Sequence, residues 1–267
     1  LRWALLTNNA PWEPTKFSED SVKEAYNKYL STAYNSLVYY QTYSRGLKFE
    51  ASGRLHSENA LDKWLISRVN TLAKTVEREF TEYNTHKVCR AIQEFAVDDL
   101  SNWFIRRSRD RFNAHELTLD SKAGFEALNY ALKTLAKITA PFTPFIAEEI
   151  HQQLLAEGDK QSVHLQDYPQ ANDKLIDPAL EHAMTEARAV IEAGRRLRAE
   201  KKLKTKQPLA KAVLVLKEKP SAQLEQVLEI AREELNVKKL AFDTSTDEYE
   251  TSEFALLEYE EGNYLVL

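Results

Sequence analysis

Residues 61–80 read LDKWLISRVNTLAKTVEREF. Leu61, Leu65, Val69, Leu72, Val76 and Phe80 recur at the three-and-four spacing of one helix face, not at the alternation of a strand. The spacing predicts an amphipathic helix from about Asn59 to Phe80, whose apolar face must be buried against other helices. The same period lies on both sides. Upstream, Ser18 is placed as an N-cap, and Phe17 with Val22 fits a hydrophobic staple. Val22, Tyr26, Tyr29, Leu30, Ala33, Leu37 and Tyr40 then continue one helix as far as Gly46. Downstream, a helix is predicted from about His86 to Phe112, another after Ser121, and a shorter one from Phe145 to Leu155 behind the Pro141–Pro144 break.

The expected architecture is mainly α: an antiparallel helix bundle followed by a small α/β unit. Residues 1–16 read as a helix end and loop, 17–160 as the bundle, 161–208 as an irregular crossing segment with a long basic helix, and 209–267 as the α/β unit. In the last part, strand-like 211–216, 237–242 and 264–267 flank a helix over 223–235.

Composition excludes several functions. Only 6 of 267 residues are glycine, and none are close enough to draw a Rossmann fingerprint or a P-loop. The single cysteine, Cys89, excludes an intramolecular disulfide and a multi-cysteine zinc site. No apolar run is long enough to span a bilayer. The six histidines form no HExxH pattern, Glu148 and Glu149 point in different directions on a helix, and no GxSxG occurs. No catalytic or metal-ligating residue is expected. With Met184 the only methionine, Leu1 is expected to be internal to a longer chain.

Net charge is −5, but it is unevenly spread. Residues 195–211 hold eight basic side chains against one acid, and residues 243–261 hold eight acids and no base. Such runs are either solvated faces or, for the basic one, a phosphate-binding surface.

The densest polar and aromatic cluster is DDLSNWFIRRSRDRF, residues 98–112. On a helix, Trp103, Arg107 and Arg111 share one row, and Asp98, Asn102 and Arg106 form the next. An indole beside guanidiniums suits unpaired bases, by stacking and by contacts to phosphates and base edges. The other reading packs Trp103 in the bundle and spends the arginines on exposed ion pairs. Asn35, inside the tyrosine-rich first helix, is similarly either a packed residue or a base reader.

Eight segments, in order, resemble one family. They are LRWALLTNNAPWEPTKFSEDSV at the start, YLSTAYNSLVYY (29–40), LDKWLISRVNTL (61–72), DLSNWFIRRSRDRF (99–112), APFTPFIAEEI (140–150), SVHLQDYP (162–169), GRRLRAEKKLKTKQPL (194–209) and EELNVKKLAF (233–242). Together they resemble the C-terminal part of isoleucyl-tRNA synthetases, within the class I aminoacyl-tRNA synthetases. The valine and leucine enzymes share some of these motifs, so the same module from either one stays open, as does a helical protein-interaction domain.

The resemblance implies a cytoplasmic tRNA anticodon-binding module for isoleucine acceptors, without a membrane role. The family's HIGH and KMSKS signatures do not occur in these residues. ATP, magnesium and catalysis would then belong to a catalytic domain linked in cis, with no cofactor held here. The resemblance also implies Trp103 as the stacking aromatic, Ser31 and Asn35 as base-reading positions, Asn102 as a further tRNA-binding residue, and Arg106, Arg107 and Arg111 as phosphate or base-edge contacts. Arg195, Arg198, Lys201, Lys204 and Lys206 would follow the RNA backbone. Asn113 and Thr205-Lys206 depart from the family's frequent tryptophan and Val-Arg. Lys206 keeps the charge but not the bidentate fork, which favours a phosphate over a base edge.

Overall fold

The computed structural model describes residues 1–14, 16–216, 219–245, 256–260 and 263–266. Its contacts divide into two units, Leu1–Asp177 and Pro178–Leu267.

The first unit is helical. After α1 (Arg2–Thr7), the Ser18 hydroxyl accepts from Ser21 N at 3.1 Å and starts α2 (Glu19–Ala25), with Glu19 and Asp20 favourably placed at the positive end. Phe17 stays largely exposed, so the staple buries little. The chain continues through a wide π-helical stretch, Tyr26–Ser31, into α3 (Thr32–Gly46). Asn59 caps α4 (Ala60–Thr81), accepting from Leu61 N at 3.0 Å. The expected stripe Leu61, Leu65, Val69, Leu72 and Val76 is buried, while Phe80 lies at the rim with its ring edge on Phe142.

The helix expected over 86–112 is not one α-helix. It divides into α5 (Thr85–Glu94), a second π-helical stretch, Phe95–Ile105, and one turn, α6 (Arg109–Phe112). A reciprocal Thr118–Ser121 capping box opens α7 (Leu119–Thr139), and Pro144 occupies the first turn of α8 (Pro144–Gln153). Helices α4 and α7 pack on each other, and Phe112 stacks on Phe125 with ring centroids 4.3 Å apart.

The irregular chain after α8 belongs to this unit. Glu148 accepts from Ser162 Oγ at 2.9 Å and Val163 N at 2.8 Å. Burial works to raise the Glu148 carboxyl, but these donors and Gln152 outweigh it and hold the group below its ordinary range. Asn172 N donates to Asn70 Oδ1 at 3.0 Å, and Asp177 N to Ser67 Oγ at 2.8 Å.

The second unit begins with α9 (Pro178–Glu200), so the crossing segment and the basic helix, expected together, fall in different units. Then come β1 (Leu209–Val215), α10 (Ala222–Glu234), β2 (Val237–Asp243), β3 (Leu256–Glu260) and β4 (Asn263–Val266). The sheet order is β2-β1-β4-β3. Strands β1 and β2 are parallel across α10, and β4 runs antiparallel to β1 and β3. Val213, Val215 and Val266 form a buried cluster. A Cβ at Gly194 would stand 2.2 Å from Leu235 Cδ2, so glycine is what lets α9 approach the end of α10. Strand β3 was not expected from sequence. Most of the acidic run 243–261 lies outside the described residues.

Candidate nucleic-acid interface

The first unit brings two of the expected readers together. Asn35 Nδ2 donates to Ser31 Oγ at 3.4 Å, with Asn35 exposed and Ser31 half-buried. Their helix packs along the Phe95–Ile105 stretch. Tyr29 stacks on Trp3, whose indole N donates to Gln93 at 3.4 Å; further along, the Tyr39 ring lies 6.2 Å from Phe112. These two ties set residues 31–38 alongside the stretch that holds Asn102 and Trp103.

Trp103 does not project from this face. It is 6% exposed, and the Arg106 guanidinium lies 5.9 Å from its ring centroid. The expected outward stack on Trp103 is therefore corrected: the indole belongs to the apolar side of its helix, with Phe95, Ala96, Leu100 and Phe104, all buried. Asn102 is exposed, and Arg106 and Arg107 are half-buried. Arg106 Nε donates to Asn102 O at 2.9 Å, which fixes the guanidinium stem beside the exposed amide.

Arg111 leaves the row altogether. Its guanidinium holds both oxygens of Asp62, a carboxylate with 0% exposure, and also donates to Asp120 at 3.2 Å and Ser108 at 3.1 Å. Burial pushes the Asp62 carboxyl up, opposed by Arg111 and by the Ser57 hydroxyl donating at 2.7 Å. The guanidinium also lies 5.1 Å from the Phe112 ring centroid, and a Cβ at Gly124 would meet it at 2.7 Å. A phosphate competing for Arg111 would strip a buried carboxylate of its partner, so the expected RNA contact at Arg111 is corrected to an internal tie.

The basic run of the second unit divides in the same way. Arg198 is 2% exposed. It donates to the carbonyls of Lys204 at 3.0 Å, Gln207 at 2.9 Å, Leu235 at 2.6 Å and Asn236 at 3.3 Å. Desolvation lowers its pKa from the ordinary arginine value. The last two carbonyls close α10, where a helix end attracts a cation. Arg198 thus fastens the turn after α9 to the end of α10, and its expected place on the RNA backbone is corrected. Within that turn Lys202 takes a positive φ of 55°, and Lys201, Lys204 and Lys206 are exposed. Arg195 is exposed and ion-paired with Glu234.

Among the described residues, no group of three or more His, Cys, Asp or Glu side chains is placed to hold a metal ion. Among the described residues, no helix is long and apolar enough to cross a membrane. The first unit thus presents the exposed amides of Asn35 and Asn102, and the second unit, separately, the exposed lysines of the turn after α9.

The model for the anticodon-binding domain of tRNA ligase matches residues 62–214. The chain belongs to that family. It is 39% identical over 253 residues to an isoleucine–tRNA ligase of Clostridium novyi (strain NT), covering 93% of this chain and 24% of the relative. It is 38% identical over 257 residues to isoleucine–tRNA ligase 2 of Bacillus thuringiensis subsp. konkukian (strain 97-27), covering 96% and 24%. The chain thus spans about a quarter of the length of the curated relatives it matches. Among solved structures, it is similar to the agnB2 LeuRS–tRNA–LeuAMS ternary complex of Agrobacterium radiobacter K84, with TM-score 0.47 and 15% identity over 66% of this chain and 20% of that one.

Within this anticodon-binding domain, sequence reasoning missed one partner, Asp62, and one orientation, that of Arg198. Asp62 is 49 residues from Arg111, beyond the reach of local spacing. The inward turn of Arg198 was available in the sequence: Val190, Ile191, Gly194, Leu197 and Arg198 fall on one helical period, and all are buried.

Proposed function

We propose that this domain binds tRNA through its anticodon, as part of an isoleucine–tRNA ligase acting in the cytoplasm. The observation that carries the reading is the match to the anticodon-binding family, in a chain whose hydrogen-bonded Ser31–Asn35 pair and exposed Asn102 lie on helical segments that pack on each other. Amide and hydroxyl groups on packed helices are suited to the Watson–Crick edges of splayed bases. Lys201, Lys204 and Lys206 are suited to backbone phosphates, as point charges without base preference. Arg106 and Arg107 keep enough exposure for a phosphate or a base edge, and Arg195 can exchange Glu234 for a phosphate. Similarity to isoleucine–tRNA ligases supports the isoleucine acceptor as the tRNA bound. Activation of the amino acid, with ATP and magnesium, we assign to catalytic sequence outside these residues, joined in cis.

The test is a salt titration of tRNA affinity with anticodon-swapped transcripts. The expected result is a log–log slope of about −0.7 per phosphate neutralised. An isoleucine-to-valine anticodon change is expected to cost about 1–3 kcal/mol. Equal, weak and salt-insensitive binding of all transcripts would overturn the reading and favour a protein partner.

A further inference from the structure

The correction at Trp103 leaves the proposed reading face without its expected stacking aromatic. The face has another. Tyr34 is 45% exposed and stands beside Asn35 on α3. Ser31 lies three residues before it and Val38 four residues after, so all four side chains cover one patch of helix surface. Of the other apolar side chains of α3, Ala33, Leu37 and Tyr40 are buried, and Tyr39 and Tyr43 are half-buried against each other, with ring centroids 4.6 Å apart. Tyr34 and Val38 are thus a small exposed apolar platform, flanked by the hydrogen-bonded Ser31–Asn35 pair. The helix that carries the platform packs along the stretch bearing Asn102.

We propose that Tyr34 is the side chain on which an unpaired anticodon base stacks, with Val38 extending the platform and Asn35 reading that base's edge. The assignment deepens the tRNA reading and rests on it. A phenol ring offers a π surface to any base, and an adjacent amide offers both a donor and an acceptor. Burial fits Trp103 to support its helix, whereas exposure fits Tyr34 to meet a base without rearranging the bundle.

The experiment measures affinity of the 267-residue chain for an isoleucine tRNA transcript, for wild type, Tyr34→Ala and Tyr34→Phe. Tyr34→Ala is expected to weaken binding about 10-fold or more, and Tyr34→Phe to stay within about twofold, because the ring is what stacks. Thermal melting checks that Tyr34→Ala remains folded. A transcript series with one anticodon base removed at each position in turn supplies the second readout. Against one of these RNAs Tyr34→Ala is expected to have no further effect, an outcome that loss of fold would not produce. Wild-type binding with Tyr34→Ala unchanged overturns the stacking assignment and leaves the tRNA reading standing. A wild-type chain that does not bind the transcript sinks both.

Discussion

Residues 98–112 and 195–206 look alike in sequence and fold by the same division of labour, yet they secure their buried cations differently. In the first, Arg111 is matched by a carboxylate, Asp62, on another helix. In the second, Arg198 is matched by neutral carbonyls, two in its own turn and two at the end of α10. The first arrangement holds two charges away from water and locks the bundle. The second is a helix-end clasp that orders a lysine-bearing turn. Losing the arginine therefore exposes the fold to different costs: a stranded buried charge in one place, unpaired dipoles in the other.

The largest effect is expected at Arg111. Arg111→Ala leaves the Asp62 carboxylate buried with only Ser57 to satisfy it and should cost about 3–5 kcal/mol in urea unfolding. Arg111→Met combined with Asp62→Leu removes both charges and should recover most of that loss. A double variant as unstable as the single one would break the comparison, because the cost would then lie in shape rather than in a stranded charge.

Arg198→Ala should cost less, about 2 kcal/mol, since the orphaned carbonyls can recruit water at this edge. It should also weaken tRNA binding by disordering the turn. Lys201→Ala with Lys204→Ala and Lys206→Ala should do the reverse. Stability should change by under about 0.5 kcal/mol per site, while the salt slope of tRNA binding becomes shallower. Unfolding curves and salt titrations of the two variants sharpen the contrast between a clasp and the charges it presents.

The helices were legible because burial follows period. Leu61 through Val76 needed no tertiary information, and neither did the Ser18 cap. Trp103 was legible too: it falls on the same period as Ala96 and Leu100, and its burial follows from that row rather than from the arginines beside it. The π-helical stretch over Phe95–Ile105 was not, since its side chains are those of an ordinary helix and only the backbone register differs. Strand β3 lies inside the acidic run, where Leu257, Glu258, Tyr259 and Glu260 do alternate as a strand does, but over too few residues to stand out from the surrounding charge. At the candidate interface, Ser31 and Asn35 were legible through the family resemblance, and their i, i+4 spacing fits the hydrogen bond that joins them. The fate of Arg111 was not, because it depends on a partner brought in by folding.

The central claim is that exposed polar groups on two adjoining helices, not the indole beneath them, contact the anticodon. Affinity of the double variant Asn35→Ala with Arg106→Ala for an isoleucine tRNA transcript, set against that of Trp103→Phe, tests it most directly. The account predicts that the double variant binds about 10- to 100-fold more weakly with an unchanged melting temperature, while Trp103→Phe loses stability but, when folded, binds as wild type. Unchanged affinity in the double variant, with binding lost in a stably folded Trp103→Phe, would contradict it.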